Sequence, residues 1–171
     1  MAETGSLPQA VWKAAGRGDE AALLSWLESG GRVNATCRAG DVSGVTVLML
    51  AAIQGHERVV ELLLQRGAEV NLQSSKGVTA LMYAAQDGHE RVVELLLQRG
   101  AEVNLQNSIG DTALMGAAAR NHPAVVLRLL RAGADTKLRS EDGMSALQMA
   151  KEIGHAECVK VLSEAAAAAE G

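Results

Sequence analysis

Apolar residues recur along this chain in short blocks, not in long runs or strict alternation. From Thr79, "TALMYAAQDG" begins with a helix-capping threonine, continues with small and apolar residues, and ends on Gly88. The pattern predicts a short helix with a marked start and stop. The next block, "HERVVELLLQRG", runs from His89 to Gly100. Its Val92, Val93, Leu95, Leu96 and Leu97 span a stripe too wide for a helix buried on one side only. Such a helix packs against its own partner and against a neighbouring unit. Arg91 and Glu94, three apart, stay in solvent and can pair weakly. At roughly three turns or fewer, neither helix persists alone in water, so each pair depends on others beside it.

Those others are written into the chain. The stretch "GHERVVELLLQRGAEVNLQ" occurs at 55–73 and again at 88–106. The four histidines, His56, His89, His122 and His155, stand 33 residues apart. Gly44, Gly77, Gly110 and Gly143 keep the same spacing, as do Gly67, Gly100 and Gly133. A third turn column reads Gly55, Gly88, Asn121, Gly154, and asparagine is the residue next most tolerant of positive φ. That column predicts a left-handed helix C-cap. Two short helices and a turn fill each unit.

A unit of G-x-T-x-L, then AA, GH and VV-x-LLL-x-x-G-A-x-V-N resembles the ankyrin repeat. The resemblance implies an all-α solenoid of about five helix-turn-helix repeats with loop fingers. It spans residues 7–166, with repeats at about 7–40, 41–73, 74–106, 107–139 and 140–166, and flexible ends at 1–6 and 167–171. Repeat 1 aligns at an offset of 37, which pairs Gly18 with Gly55 and Trp26 with Leu63 and leaves its finger, "NATCRAGDVSG", four residues longer than "NLQSSKG". The family's T-P-L-H is here Thr46-Val-Leu-Met, Thr79-Ala-Leu-Met, Thr112-Ala-Leu-Met and Ser145-Ala-Leu-Gln. Loss of that proline and histidine implies less rigid loops. In repeat 5 the column of Ala52, Ala85 and Ala118 becomes Lys151, and that of Leu64, Leu97 and Leu130 becomes Ser163. These polar changes mark a C-terminal cap, and "AAAAAEG" beyond it is expected to fray. Repeat 1 opens with Pro8 near its first turn and Gln9 where others have threonine. With both ends capped, the solenoid is expected to be complete within the chain.

Composition fits this architecture. At 171 residues and 48% apolar the chain can bury a substantial core, yet aromatics are 2% and Phe is absent, which suits closely spaced helices. A net charge of −4 argues against nucleic acid or a polybasic membrane contact. The apolar runs fall far short of the roughly 20 residues a membrane span needs, and "MAETGSLPQA" lacks the features of a secretory signal. Cys37 and Cys158 make neither a disulfide framework nor a zinc site. A cytoplasmic location is the default, with the nucleus left open, and a monomer is expected.

Candidate chemistry reduces to packing. The histidines should lie along one edge about 10 Å apart, whereas zinc needs its ligands about 2 Å from the metal. A role in capping the second helices is expected instead. Cys158 shares the column of Val59, Val92 and Val125 and should be buried. Trp12 and Trp26 align with the inward Met49 and Leu63 and read as core of the first cap. No nucleophile–base pair, phosphate loop or carboxylate pair falls outside the repeat, so neither enzyme activity nor a cofactor is expected.

The resemblance implies a protein-interaction module whose fingers and first helices line a concave groove. The alternatives are a structural or designed scaffold, or the recognition domain of a larger regulatory protein; the irregular Leu127 and Arg128 favour a natural binder. The groove positions vary: Val45, Val78, Asp111 and Met144 on the fingers, and Lys13, Leu50, Tyr83, Gly116 and Met149 on the first helices. A partner site is expected on repeats 2 and 3. Val45, Leu50, Ile53, Val78 and Tyr83 form its apolar surface, Ile109 extends it, and Gln86, Asp87 and Arg120 supply a polar rim. Tyr83, the one tyrosine, is the anchor. The long first finger around Arg38 and Asp41 is the fallback site. Asn71 and Asn104, in "GAEVN" with a leucine eight residues earlier, resemble the pattern accepted by asparaginyl hydroxylases of the hypoxia-sensing type.

Overall fold

The computed structural model describes residues 6–171; the expected flexible start at 1–6 lies almost wholly outside them. Ten α-helices and one two-stranded ribbon make up the described residues. The helices come in five pairs: α1 (Gln9–Arg17) and α2 (Glu20–Glu28), α3 (Val47–Gln54) and α4 (Glu57–Gln65), α5 (Ala80–Gln86) and α6 (Glu90–Gln98), α7 (Ala113–Ala119) and α8 (Pro123–Arg131), α9 (Ala146–Ile153) and α10 (Ala156–Glu170). Odd-numbered helices touch in succession to form one layer, and even-numbered helices form the second. The core is the seam between the layers.

Small residues set the spacing of that seam. Ala15, Ala52, Ala85 and Ala118 are fully buried, as are Leu63, Leu96 and Leu129 on the second helices. Side chains without rings let the helix layers approach closely while leaving few voids. Threonines start the first helices: Thr46, Thr79 and Thr112 accept the backbone N–H three residues on, at 3.2–3.3 Å. Ser145 does the same for Gln148 at 3.3 Å. In the first repeat Pro8 precedes α1 and caps nothing, while Asp19 caps α2 through the Ala22 N–H at 3.0 Å.

The expected left-handed column is present: Gly55, Gly88 and Gly154 take φ of +72°, +75° and +87°, and Asn121 takes +61°. The structure adds a second demand for glycine here. A Cβ on Gly88 would stand 2.5 Å from His122 Cε1, and one on Gly18 would stand 2.7 Å from His56 Nδ1. Gly18, Gly55 and Gly88 are the floor on which the next repeat's imidazole lies, while a Cβ on Gly154 would meet nothing within 4 Å.

The histidines therefore do not act as expected. None makes a side-chain cap to its own helix. Instead His56 Nε2 lies 2.9 Å from the Gly16 carbonyl, His89 Nε2 2.8 Å from that of Ile53, and His155 Nε2 3.2 Å from that of Ala119. They join repeats by satisfying carbonyls at the end of the preceding first helix. Among the described residues, His122 makes no such bond.

The fingers also depart from expectation. With its four extra residues the first finger folds into an antiparallel ribbon, β1 (Thr36–Ala39) with β2 (Val42–Thr46). Gly40, at φ +62°, sits in its tight turn, where the Gly-Asp pair suits a hairpin. The Leu7 N–H joins this ribbon at the Thr36 carbonyl, 2.8 Å away. The later fingers are tied together: backbone N–H groups of Ser75, Ser108 and Glu141 donate to Ser43, Lys76 and Ile109 carbonyls at 2.8–2.9 Å. Expected loss of rigidity is thus offset by main-chain bonds from finger to finger. At the other end, the alanine tail expected to fray continues α10 to Glu170, with Ala166 and Ala169 facing the last finger. Alanine is the best helix former, and this surface gives it something to pack against.

Candidate functional site

The variable positions of the first helices and fingers lie on one face, but they do not form the apolar surface expected on repeats 2 and 3. Val45 is only 2% exposed, because β1 pairs across it at Cys37, and Leu50 is 9% exposed. Both belong to the core, which corrects their reading as solvent-facing anchors. Ile53, Val78 and Tyr83 are half-buried, while Gln86, Asp87 and Arg120 are exposed as the expected rim. Tyr83 is less free than an anchor needs to be. It is half-buried, and burial raises its phenol pKa above the ordinary value. Ile109, half exposed at a finger tip, is the most open apolar residue of the set.

The apolar surface lies one repeat earlier. A cavity of about 280 Å³ opens between α1 and α3, with Trp12, Leu50 and Ile53 in its lining and Lys13, Arg17 and Gln54 at its edges. Trp12, expected in the core, is only half-buried. It occupies the Met49 column, but among the described residues no helix pair precedes α1 to cover it. A second cavity, about 270 Å³, lies on its other side toward Arg38 of the first finger. Among the described residues α1 has one neighbouring first helix, α3, where α3 has two, α1 and α5.

Charges on the face are of both signs. Lys13 and Arg17 lie near the first helices, and among the described residues neither has an ion-pair partner. Toward the far end, Asp111 on the third finger is partly buried; desolvation, then repulsion from Asp142, raises its pKa. On the second-helix layer the expected Arg91–Glu94 pair forms at 2.9 Å. Arg128 there reaches Glu90 at 3.3 Å and Glu94 at 3.7 Å, linking neighbouring repeats.

Asn71 and Asn104 are both occupied. The Asn71 amide donates to the Gly100 carbonyl at 3.2 Å and accepts from the Glu102 N–H at 2.8 Å. Asn104 repeats this with Gly133 and Asp135 at 3.3 and 2.8 Å. Each asparagine clamps the next repeat's turn.

Reactive groups are sparse. Burial, then the Glu157 carboxylate, raises the Cys158 thiol pKa, and burial raises that of Cys37, so both are poor thiolates. Among the described residues no group of three or more His, Cys, Asp or Glu could hold a metal ion, and no helix is long and apolar enough to cross a membrane.

The family model for ankyrin repeats, built of three copies, matches residues 11–107 and 114–170, most of both helix layers. The chain belongs to the ankyrin repeat family. Two curated relatives agree. Ankyrin repeat domain-containing protein 29 of Danio rerio is 43% identical over 67 residues, 39% of this chain and 22% of its own length. Its Homo sapiens namesake is 46% identical over 67 residues, 39% of this chain and 21% of its own. The chain thus spans about a fifth of the length of the curated relatives it matches. As an ankyrin-repeat solenoid it is all-α apart from the ribbon in its first finger. Ankyrin repeats are generally protein–protein interaction modules.

Proposed function

We propose that this ankyrin-repeat chain is a non-catalytic adaptor that binds a partner protein against its first helices and fingers. The deepest contact is the groove of α1 and α3, not repeats 2 and 3 alone. The observation that carries the reading is the half-buried Trp12 beside Leu50 and Ile53 in an otherwise ring-poor protein. A tryptophan with exposed ring area next to aliphatic side chains is a common energetic centre of interfaces. Ile53, Gln86, Asp87 and Arg120 extend the surface toward the later repeats, and Ile109 offers a projecting finger contact. The chain works as a monomer in the cytoplasm on this reading, and needs no cofactor.

A comparison of two double variants tests it. Ile53→Glu with Arg120→Glu alters the binding face, and Arg58→Glu with Gln98→Glu alters exposed positions on the second-helix layer. In quantitative recovery of partners from lysate, the first pair loses proteins that wild type retains, and the second pair keeps them. Equal recovery by both would remove the reading.

A further inference from the structure

Gly16 is a residue the fold does not ask for. It lies within α1, where glycine is the weakest helix former after proline. Its φ is not positive, and a Cβ built on it meets nothing within 4 Å. Its counterparts in the next repeats are Ile53 and Gln86. The missing side chain leaves open the cavity beside Trp12, which Gly16 lines. Fold stability alone would favour alanine here; the open space needs another explanation.

We infer that this cavity receives an apolar side chain from an acidic peptide segment of the partner. This rests on the binding-face reading above and names the chemistry of what binds. Three features point to that occupant. At about 280 Å³ the cavity is smaller than the roughly 300–1,000 Å³ of small-molecule sites, so it suits one or two side chains. Its floor of Trp12, Leu50 and Ile53 is apolar. Its edges carry Lys13 and Arg17, which have no ion-pair partner among the described residues although the chain as a whole carries a net charge of −4. Arg38 lies beyond Trp12 in the second cavity. An extended segment crossing Trp12 would meet a cation on each side, with its carboxylates at the rim and its apolar residue below. Rim charges of this kind set partner choice and encounter rate more than affinity.

The probe is a set of fluorescein-labelled peptides of Glu, Ser and Gly with one central Leu. Matched peptides carry Lys for Glu, or Ala for the Leu. By fluorescence anisotropy the Glu/Leu peptide binds wild type saturably, and each replacement weakens binding about tenfold or more. Gly16→Ala weakens the Glu/Leu peptide about tenfold while its urea midpoint stays level or rises. Lys13→Glu with Arg17→Glu transfers preference to the Lys peptide. Equal binding of Glu and Lys peptides, or an unchanged affinity in Gly16→Ala, would overturn the proposal. If wild type ignores every peptide while partner recovery still depends on Ile53 and Arg120, the peptide chemistry is wrong and the binding face stands. If that recovery is also indifferent, both fall.

Discussion

Replacing Gly88 by alanine loads the turn between α5 and α6 with two separable penalties. The first is backbone strain: φ is +75°, and a left-handed conformation costs an L-residue about 1–2 kcal/mol. The second is steric. The new Cβ would stand 2.5 Å from both Cε1 and Nδ1 of His122, so the ring must move or the turn must open. Overpacking of this kind costs about 1–3 kcal/mol. The expected loss is therefore about 2–5 kcal/mol. Gly100→Ala provides the reference: its φ is +84°, but nothing lies within 4 Å of the added carbon. It should lose only the first penalty, about 1–2 kcal/mol. His122 is also the histidine without a bond to a preceding carbonyl, so His122→Ala removes the obstruction with little else. Urea unfolding followed by far-ultraviolet circular dichroism would supply all the differences. A coupling of about 1–3 kcal/mol between Gly88→Ala and His122→Ala is expected. Equal losses for the two glycine variants, or zero coupling, would refute the account of the ring resting on the glycine.

Other outcomes follow from the same geometry. Leu96 is fully buried at the centre of the stack, so Leu96→Ala should lose about 2–5 kcal/mol in urea unfolding, and a neutral result would misplace it. Asp111 has a raised pKa in the folded protein, so its native state binds a proton more tightly than the unfolded chain. Its contribution to stability is present below about pH 4 and lost as pH rises through the folded value. Asp111→Asn should raise the urea midpoint at pH 7, with the advantage fading below pH 4, and no gain at pH 7 would exclude the burial and repulsion invoked. For Asn71 and Asn104, both ends of each amide are held in the folded fingers. Incubation with an asparaginyl hydroxylase of the hypoxia-sensing type should therefore add oxygen faster to a destabilised variant that keeps both recognition leucines, such as Leu129→Ala at a fully buried position, than to wild type, as read by intact mass. No uptake by either would end the idea.

The architecture was legible because every internal repeat solves one packing problem with the same residues. Ala52, Ala85 and Ala118 recur since each lies where helices of adjacent repeats approach closely, and Thr46, Thr79 and Thr112 recur since each helix start leaves the same N–H groups to satisfy. Even Asn121 was readable, as the residue next most tolerant of positive φ after glycine. A binding surface has no such period. It is made where repeats differ and where neighbours differ, so column alignment misjudged it. Val45 matches half-buried finger positions, yet in the lengthened first finger a strand pairs across it and buries it. Trp12 matches the buried Met49, yet among the described residues no helix pair lies before α1, and it is half open. The histidine bonds were hidden for a related reason. A local capping rule looks within a few residues, whereas His56 finds its acceptor at Gly16 and His89 at Ile53, across the gap between repeats. Periodic sequence determined how one repeat packs on the next; only the assembled stack decided which side chains were left uncovered, because exposure depends on neighbours that no single repeat contains.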